Sequence, residues 1–201
     1  MAEVADLVQA ILTLTGQYDT RYGTPNPSRD HGSLLAVIPY AIAQRVTDWG
    51  MWHVPDMELY SDGNKNGRAY SGDVHITLKY GLETSNPMDV IGLIEANKVT
   101  PFDVTLGKSG IFEKDDCDVV ILGVTGGGLA QLHDLASQLP SVPDTYPEYH
   151  PHVTVAYVKK GMGRAHIGNA DFNGQIVKID RVTFSRRDGR DVVIPLHGVT
   201  P

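Results

Sequence analysis

Two six-residue stretches constrain this chain more than anything else in it. His75-Ile76-Thr77-Leu78-Lys79-Tyr80 and His152-Val153-Thr154-Val155-Ala156-Tyr157 align without a gap and share His, Thr and Tyr. Both are rich in β-branched and aromatic residues, and each reads as a strand. Successive side chains of a strand point to opposite faces. His75 and Thr77 therefore share one face, with Lys79 beside them as a candidate substrate contact that offsets phosphate charge, while Ile76 and Leu78 share the other. His152 and Thr154 oppose Val153 and Val155 in the same way. Tyr80 and Tyr157 fall on the aliphatic side and read as core. The aliphatic faces need cover by helices. If the two strands lie together in a cleft, two imidazoles and two hydroxyls converge on the opposite side.

Such a set suits phosphodiester chemistry without a metal. An imidazole titrates near neutrality, so one histidine can accept a proton while the other donates one to the leaving oxygen. Threonine hydroxyls can donate to the non-bridging oxygens and hold the phosphorus in line.

The surrounding sequence supplies the helices. Ser33–Pro39 reads as a buried strand and Tyr40–Trp52 as a helix with Ile42, Val46 and Trp49 on one face. Val74–Tyr80 is the first motif strand. Asn86-Pro87 is a helix start, with Asn as cap and Pro in the first turn, for a helix running to about Asn97. Phe102–Leu106 and Asp118–Val124 read as strands, Leu129–Leu139 as a helix stopped by Pro140, and His152–Val158 as the second motif strand. Gln175–Ser185 and Asp191–Leu196 read as a hairpin turning at Asp188-Gly189. No composition shift marks a linker after residue 32. The chain divides into an N-terminal helix and arm, 1–32, and one domain, 33–201. The fold class is α+β with antiparallel sheets.

With the motifs in this order, the chain resembles the two-histidine (2H) phosphoesterase superfamily, whose members include RNA 2′,3′-cyclic phosphodiesterases. The resemblance spans about Ser33 to Leu196. It implies a bilobed fold with pseudo-twofold symmetry, two antiparallel sheets around a central cleft, helices outside and one motif per lobe. It also implies that His75, Thr77, His152 and Thr154 are catalytic. The stretches HITLKYGL (His75–Leu82) and YPEYHPHVTVAYVKKG (Tyr146–Gly161) further resemble phage-encoded members, among them the anti-CBASS phosphodiesterases that degrade the cyclic di- and trinucleotide messengers of bacterial antiviral signalling. The alternatives are opening of 2′,3′-cyclic phosphates on RNA ends and, in a different class, sequestration of a nucleotide without cleavage.

Charge bears on the size of the substrate. Lys and Arg number 17 against 24 Asp and Glu, a net charge of −7. A general binder of long nucleic acid needs a basic footprint, so the expected partner is a small nucleotide. Cys117 alone makes no internal disulfide and no thiolate zinc site, which suits a reducing cytoplasm (the host's, if phage-encoded). The start has no basic n-region, and no apolar run approaches a membrane span. No cofactor or metal is expected.

Several other features have plainer readings. Tyr146 and Tyr149 lie in the loop entering the second motif, where aromatic rings can stack on a base, and His150 is a nucleotide-facing or solvent residue. His150 and His152 are spaced as metal ligands, but Pro151 intervenes and no further ligand is near. Gly126-Gly127-Gly128 departs from a phosphate-loop pattern and reads as a flexible helix entry. Asp115, Asp116 and Asp118 form an acidic turn, and Arg186, Arg187 and Arg190 a solvated hairpin tip. Tyr18, Arg21 and Tyr22 sit on the arm, which reads as a surface connector.

Overall fold

The computed structural model describes residues 30–61, 67–70, 72 and 74–197. The expected N-terminal helix and nearly all of the arm lie outside them. The elements are β1 (Gly32–Val37), α1 (Tyr40–His53), β2 (His75–Leu82), α2 (Pro87–Ala96), β3 (Phe102–Glu113), β4 (Cys117–Thr125), α3 (Gly127–Ala136), β5 (His152–Lys159), β6 (Ile176–Ile179), β7 (Arg181–Ser185) and β8 (Asp191–Pro195). Short 3-10 turns lie at Asp56–Glu58 and Gly163–His166. The Asn86 side chain accepts from Met88 N at 3.2 Å and caps α2, with Pro87 following it.

The sheet order is β6-β3-β4-β5-β2-β1-β7-β8, with every pair antiparallel. Read outward from its centre, the order is symmetric in construction. β2 is flanked by β1, β7 and β8, and β5 by β4, β3 and β6. Both β1–α1–β2 and β4–α3–β5 are a strand, a helix and an antiparallel return. The two halves meet in register at Ile76↔Val153. Each connection from helix to motif strand crosses to the other half. The α1–β2 connection bridges to β5 at Leu59↔Val158 and Arg68↔Ala156, and the α3–β5 connection bridges to β2 at Leu82↔Ser141. The bilobed expectation thus holds, with the lobes fused edge to edge into one sheet.

The helices cover one face of the sheet. Ala43, Val46 and Trp49 of α1 and Leu129, Leu132 and Ala136 of α3 are buried with Leu34, Ala36, Ile76, Leu78, Val120, Leu122, Val153 and Val155 of the strands. α1 sits on β5, so closely that a Cβ on Gly50 would come within 2.9 Å of Val155 Cγ1, and α3 sits on β2. Gly128 brings α3 onto β3: a Cβ there would fall 2.3 Å from the Phe102 ring. Gly126 and Gly128 are therefore close-packing positions and not merely a flexible entry, while Gly127 between them faces open space.

The expected hairpin from Gln175 divides at Asp180. β6 pairs with β3 at one edge of the sheet, while β7 pairs with β1 in the other half. A single residue separates Ile179 from Arg181, and two residues of chain span about 7 Å. The sheet must therefore curl to bring its far ends together. β7 and β8 do form the expected hairpin, with Arg186 paired to Asp188 at 2.7 Å in its turn. β3 is longer than expected and runs on through Gly107 and Gly110 to Glu113.

Candidate active site

Register builds the site. Ile76 opposes Val153, and both are fully buried under the helices. In an antiparallel pair the next residues on each side oppose one another and point to the other face, about 4.5–5.5 Å apart at Cα. Carried one residue each way, this register sets His75 across from Thr154 and Thr77 across from His152. The neighbouring strands extend both rows. Val37 pairs with His75 and Ile121 with Thr154; Leu35 pairs with Thr77 and Gly123 with His152. The four motif side chains thus occupy one patch of the helix-free face, each half-buried. Each imidazole has a hydroxyl from the other lobe opposite it.

His152 is held in one orientation. Its Nδ1–H donates to the His150 carbonyl at 2.7 Å, which leaves Nε2 to take or give a proton. The Phe112 ring packs against it nearly perpendicular, at 79°, with 4.7 Å between centroids. Burial pushes the His152 pKa down from 6.5; the bond to the His150 carbonyl opposes this, and the nearby His75 and Lys114 charges add to the lowering. A neutral imidazole with a free Nε2 is a proton acceptor.

Two further contacts brace the first motif. Tyr149 Oη donates to the Thr77 carbonyl at 3.0 Å, and His133 Nδ1 bonds the Leu78 carbonyl at 2.7 Å. The Tyr149 and His133 rings are stacked at 4.2 Å, with 5° between their planes. Burial raises the Tyr149 pKa, so its hydroxyl remains a donor. Tyr149 and His150 are adjacent in sequence, so one dipeptide fixes the first motif by a side chain and the second by a carbonyl. His133 and Phe112 escaped the sequence reading, because neither lies in a motif and both reach the site from other elements.

Simple alternation fails beyond the fourth residue of each motif, and it fails identically in both. The β1–β2 register shifts between Leu34 and Leu35, which skips Leu78, and the β4–β5 register shifts between Val120 and Ile121, which skips Val155. Such bulges put two successive residues opposite one and reverse the phase of the rest of the strand. Lys79 consequently pairs with Leu34 on the covered face. It is 4% exposed, and its Nζ meets Asp144 Oδ2 at 2.6 Å. It is a structural ion pair, not the phosphate contact that alternation suggests. Tyr80 moves the other way, to the open face; it is 58% exposed, with the His31 ring edge-on at 6.2 Å. Tyr157, opposite Val119, is its counterpart and is half-buried, with the backbone of Tyr60 and Gly67 bonded to it.

The remaining candidates separate. Tyr149 is part of the brace, with its ring on His133 instead of free for a base. Tyr146 is 58% exposed, and the His150 ring is exposed 3.6 Å from Glu148. Asp118 is fully buried and accepts from the Gly161 and Gly163 amides at 2.8 and 3.1 Å, with Lys160 at 3.4 Å. It ties a turn together. Among the described residues, no three His, Cys, Asp or Glu side chains gather as a metal site, and no helix is long and apolar enough to cross a membrane.

A curled antiparallel sheet with two His/Thr pairs from symmetric lobes defines a two-histidine phosphoesterase. Residues 38–191 match the family model of the 2′-5′ RNA ligase superfamily, and the chain belongs to it. As a member it is an enzyme acting on phosphodiester bonds. Solved structures agree on the fold. E. coli LigT complexed with 3′-AMP superposes with a TM-score of 0.61 at 22% identity, over 86% of this chain and 97% of that one. TT0787 of Thermus thermophilus gives 0.56 at 14% identity, over 83% and 95%. Kluyveromyces marxianus Usb1 gives 0.55 at 11% identity, over 84% and 99%. A search of curated protein sequences gave no match.

Proposed function

We propose that the chain is a cytoplasmic, metal-independent phosphodiesterase of small cyclic nucleotides and oligonucleotides, with His152 as general base and His75 as general acid. The observation that carries the reading is the Ile76↔Val153 register, which brings the two His/Thr pairs side by side on one open face. His152 takes the base role because burial favours its neutral form and its Nδ1–H is already committed to a carbonyl. The nucleophile, a water oxygen in hydrolysis or the ribose 2′-hydroxyl oxygen in cyclisation, bonds to phosphorus and its proton passes to His152 Nε2. The P–O ester bond then breaks, and the leaving oxygen takes a proton from His75. Thr77 and Thr154 donate to the non-bridging oxygens, where charge builds up in the transition state.

The net charge of −7 and the resemblance to phage anti-CBASS enzymes favour cyclic di- and trinucleotide messengers over RNA polymers. Tyr80, exposed on the open face, and Tyr146, exposed in the loop before the second motif, offer rings for a base. The test is a screen of cyclic mono-, di- and trinucleotides beside an oligonucleotide ending in a 2′,3′-cyclic phosphate, all in EDTA, with products identified. Turnover of a cyclic di- or trinucleotide that is lost in His75→Ala and in His152→Ala supports the reading. Preference for the RNA end refutes the small-messenger assignment. Recovery of unchanged ligand from a tight complex refutes catalysis in favour of sequestration.

A further inference from the structure

The two cross-strand rows end differently in the two lobes. Outward from His75 and Thr77, the first lobe presents Val37 and Leu35. Outward from Thr154 the second lobe presents Ile121, but outward from His152 it presents Gly123. Gly123 thus stands where its symmetry mate, Val37, carries a branched side chain. The next strand continues the gap. β3 kinks between Leu106 and Ser109, and Gly107 lies so close that a Cβ on it would meet the Gly123 carbonyl at 3.2 Å. A Cβ on Gly123 itself would meet nothing nearer than the Lys108 carbonyl at 3.8 Å.

The result is a cleft of about 700 Å³ beside His152, floored by Gly107 and Gly123 and walled by Phe112, Ile121, Tyr149 and, at its far end, Ala130. Its lining is mostly apolar side chains and bare peptide, with Thr125 and His150 as the polar side chains. That surface accepts a flat ring laid on the peptide planes with Phe112 beside it, and the imidazole in its lining, His150, lies 3.6 Å from the Glu148 carboxylate, which disfavours a second phosphate there. The Phe112 ring also touches His152, so whatever fills the cleft is continuous with the reacting phosphate.

We propose that this glycine-floored cleft is a nucleobase subsite, holding the base of the nucleoside joined to the reacting phosphate on the His152 side. The inference rests on the phosphodiesterase reading above and deepens it, since it says on which side a base is recognised. The first lobe has no equivalent, because Val37 and Leu35 fill the corresponding positions. The substrate therefore binds in one direction across a nearly symmetric site.

The experiment compares kcat/KM for a uridine–adenosine dinucleotide with that for the same diester lacking the base of its first nucleoside, whose 2′-hydroxyl faces the nucleophile side. The wild type is expected to favour the base-bearing substrate at least tenfold. Gly123→Val, which installs the side chain of the symmetry mate, and Ala130→Trp, which narrows the exposed far end, should each bring that ratio toward one. Ala130 lies on an exposed helix surface, so its variant tests the subsite even if Gly123→Val fails to fold. A ratio unchanged in Ala130→Trp, or a wild type that favours neither diester while cleaving both, overturns the subsite alone. A wild type that cleaves neither these diesters nor any cyclic mono-, di- or trinucleotide overturns the phosphodiesterase reading and the subsite with it.

Discussion

The two motif strands are near copies, and their differences say more than their likeness. β2 and β5 share the spacing of His and Thr, the bulge at the fourth residue and the change of phase that brings a tyrosine to the open side. Duplication therefore supplies the geometry: two imidazoles and two hydroxyls on one open patch. What surrounds the copies separates their chemistry. The β5 histidine is anchored through Nδ1, edged by Phe112 and depressed in pKa, and bare glycine lies beside it. The β2 motif is gripped from behind instead, through the Thr77 and Leu78 carbonyls. Just past the bulge β2 carries Lys79 paired to Asp144, where β5 carries Ala156. A symmetric frame with asymmetric lining is what a general acid and a general base at opposite ends of one displacement require.

The sharpest way to break the equivalence of the copies is to remove one imidazole at a time. Replacement of His75 or His152 by Ala should each cost at least 10²-fold in kcat, and up to about 10⁴-fold. The double variant should lose little more than either single one, because the two histidines act as a unit. Removal of the hydroxyls comes next. Thr77→Val and Thr154→Val should each lower kcat by about 10²-fold with little change in KM, since the donors act on charge that develops in the transition state. An equal rise in KM with kcat unchanged would place them in ground-state binding instead.

Smaller effects probe the surroundings. Asp144→Asn leaves the Lys79 ammonium buried without its partner. With Asp144 nearly half exposed, water can still reach the site, so the loss of stability should be about 1–2 kcal/mol and not the full penalty of a sealed pair. Denaturation midpoints should fall while kcat holds. A loss of kcat greater than the loss of stability would return Lys79 to the site. Tyr149→Phe deletes one hydrogen bond of about 1 kcal/mol and keeps the stack on His133. A drop in kcat of a fewfold without a shift in KM is expected.

The frame was legible in the sequence and the lining was not. Alternation over His75–Leu78 and His152–Val155 gave the shared face of the four motif side chains, and the local signal Asn86-Pro87 gave the start of α2. Both are properties of a few neighbouring residues. Alternation then misplaced Lys79 and Tyr80, because a bulge is a matter of how two strands align and leaves no mark on one of them. The division of β6 from β7 at Asp180 was hidden for a similar reason: an unbroken run of strand-forming residues does not tell which neighbours it pairs with. β3 was cut short because Gly107 and Gly110 look like turn residues, whereas the fold uses the first of them as cleft floor. His133 and Phe112 reach the motifs through tertiary contacts alone.

The pH dependence of stability gives the smallest and most specific contrast. With the His152 pKa held below 6.5, the unfolded chain takes up a proton first as pH falls. Its contribution to stability is therefore whole above 6.5 and is lost as pH drops from 6.5 through the folded value. His152→Gln should flatten that part of the curve.

The most direct test of the central claim is the pH profile of kcat/KM on a cyclic dinucleotide in EDTA. Paired acid–base work by two histidines predicts a bell, with its acid limb below pH 6.5 set by His152 and an alkaline limb set by the protonated His75. An activity that vanishes in EDTA and returns with added metal, or a profile without an alkaline limb, would contradict it.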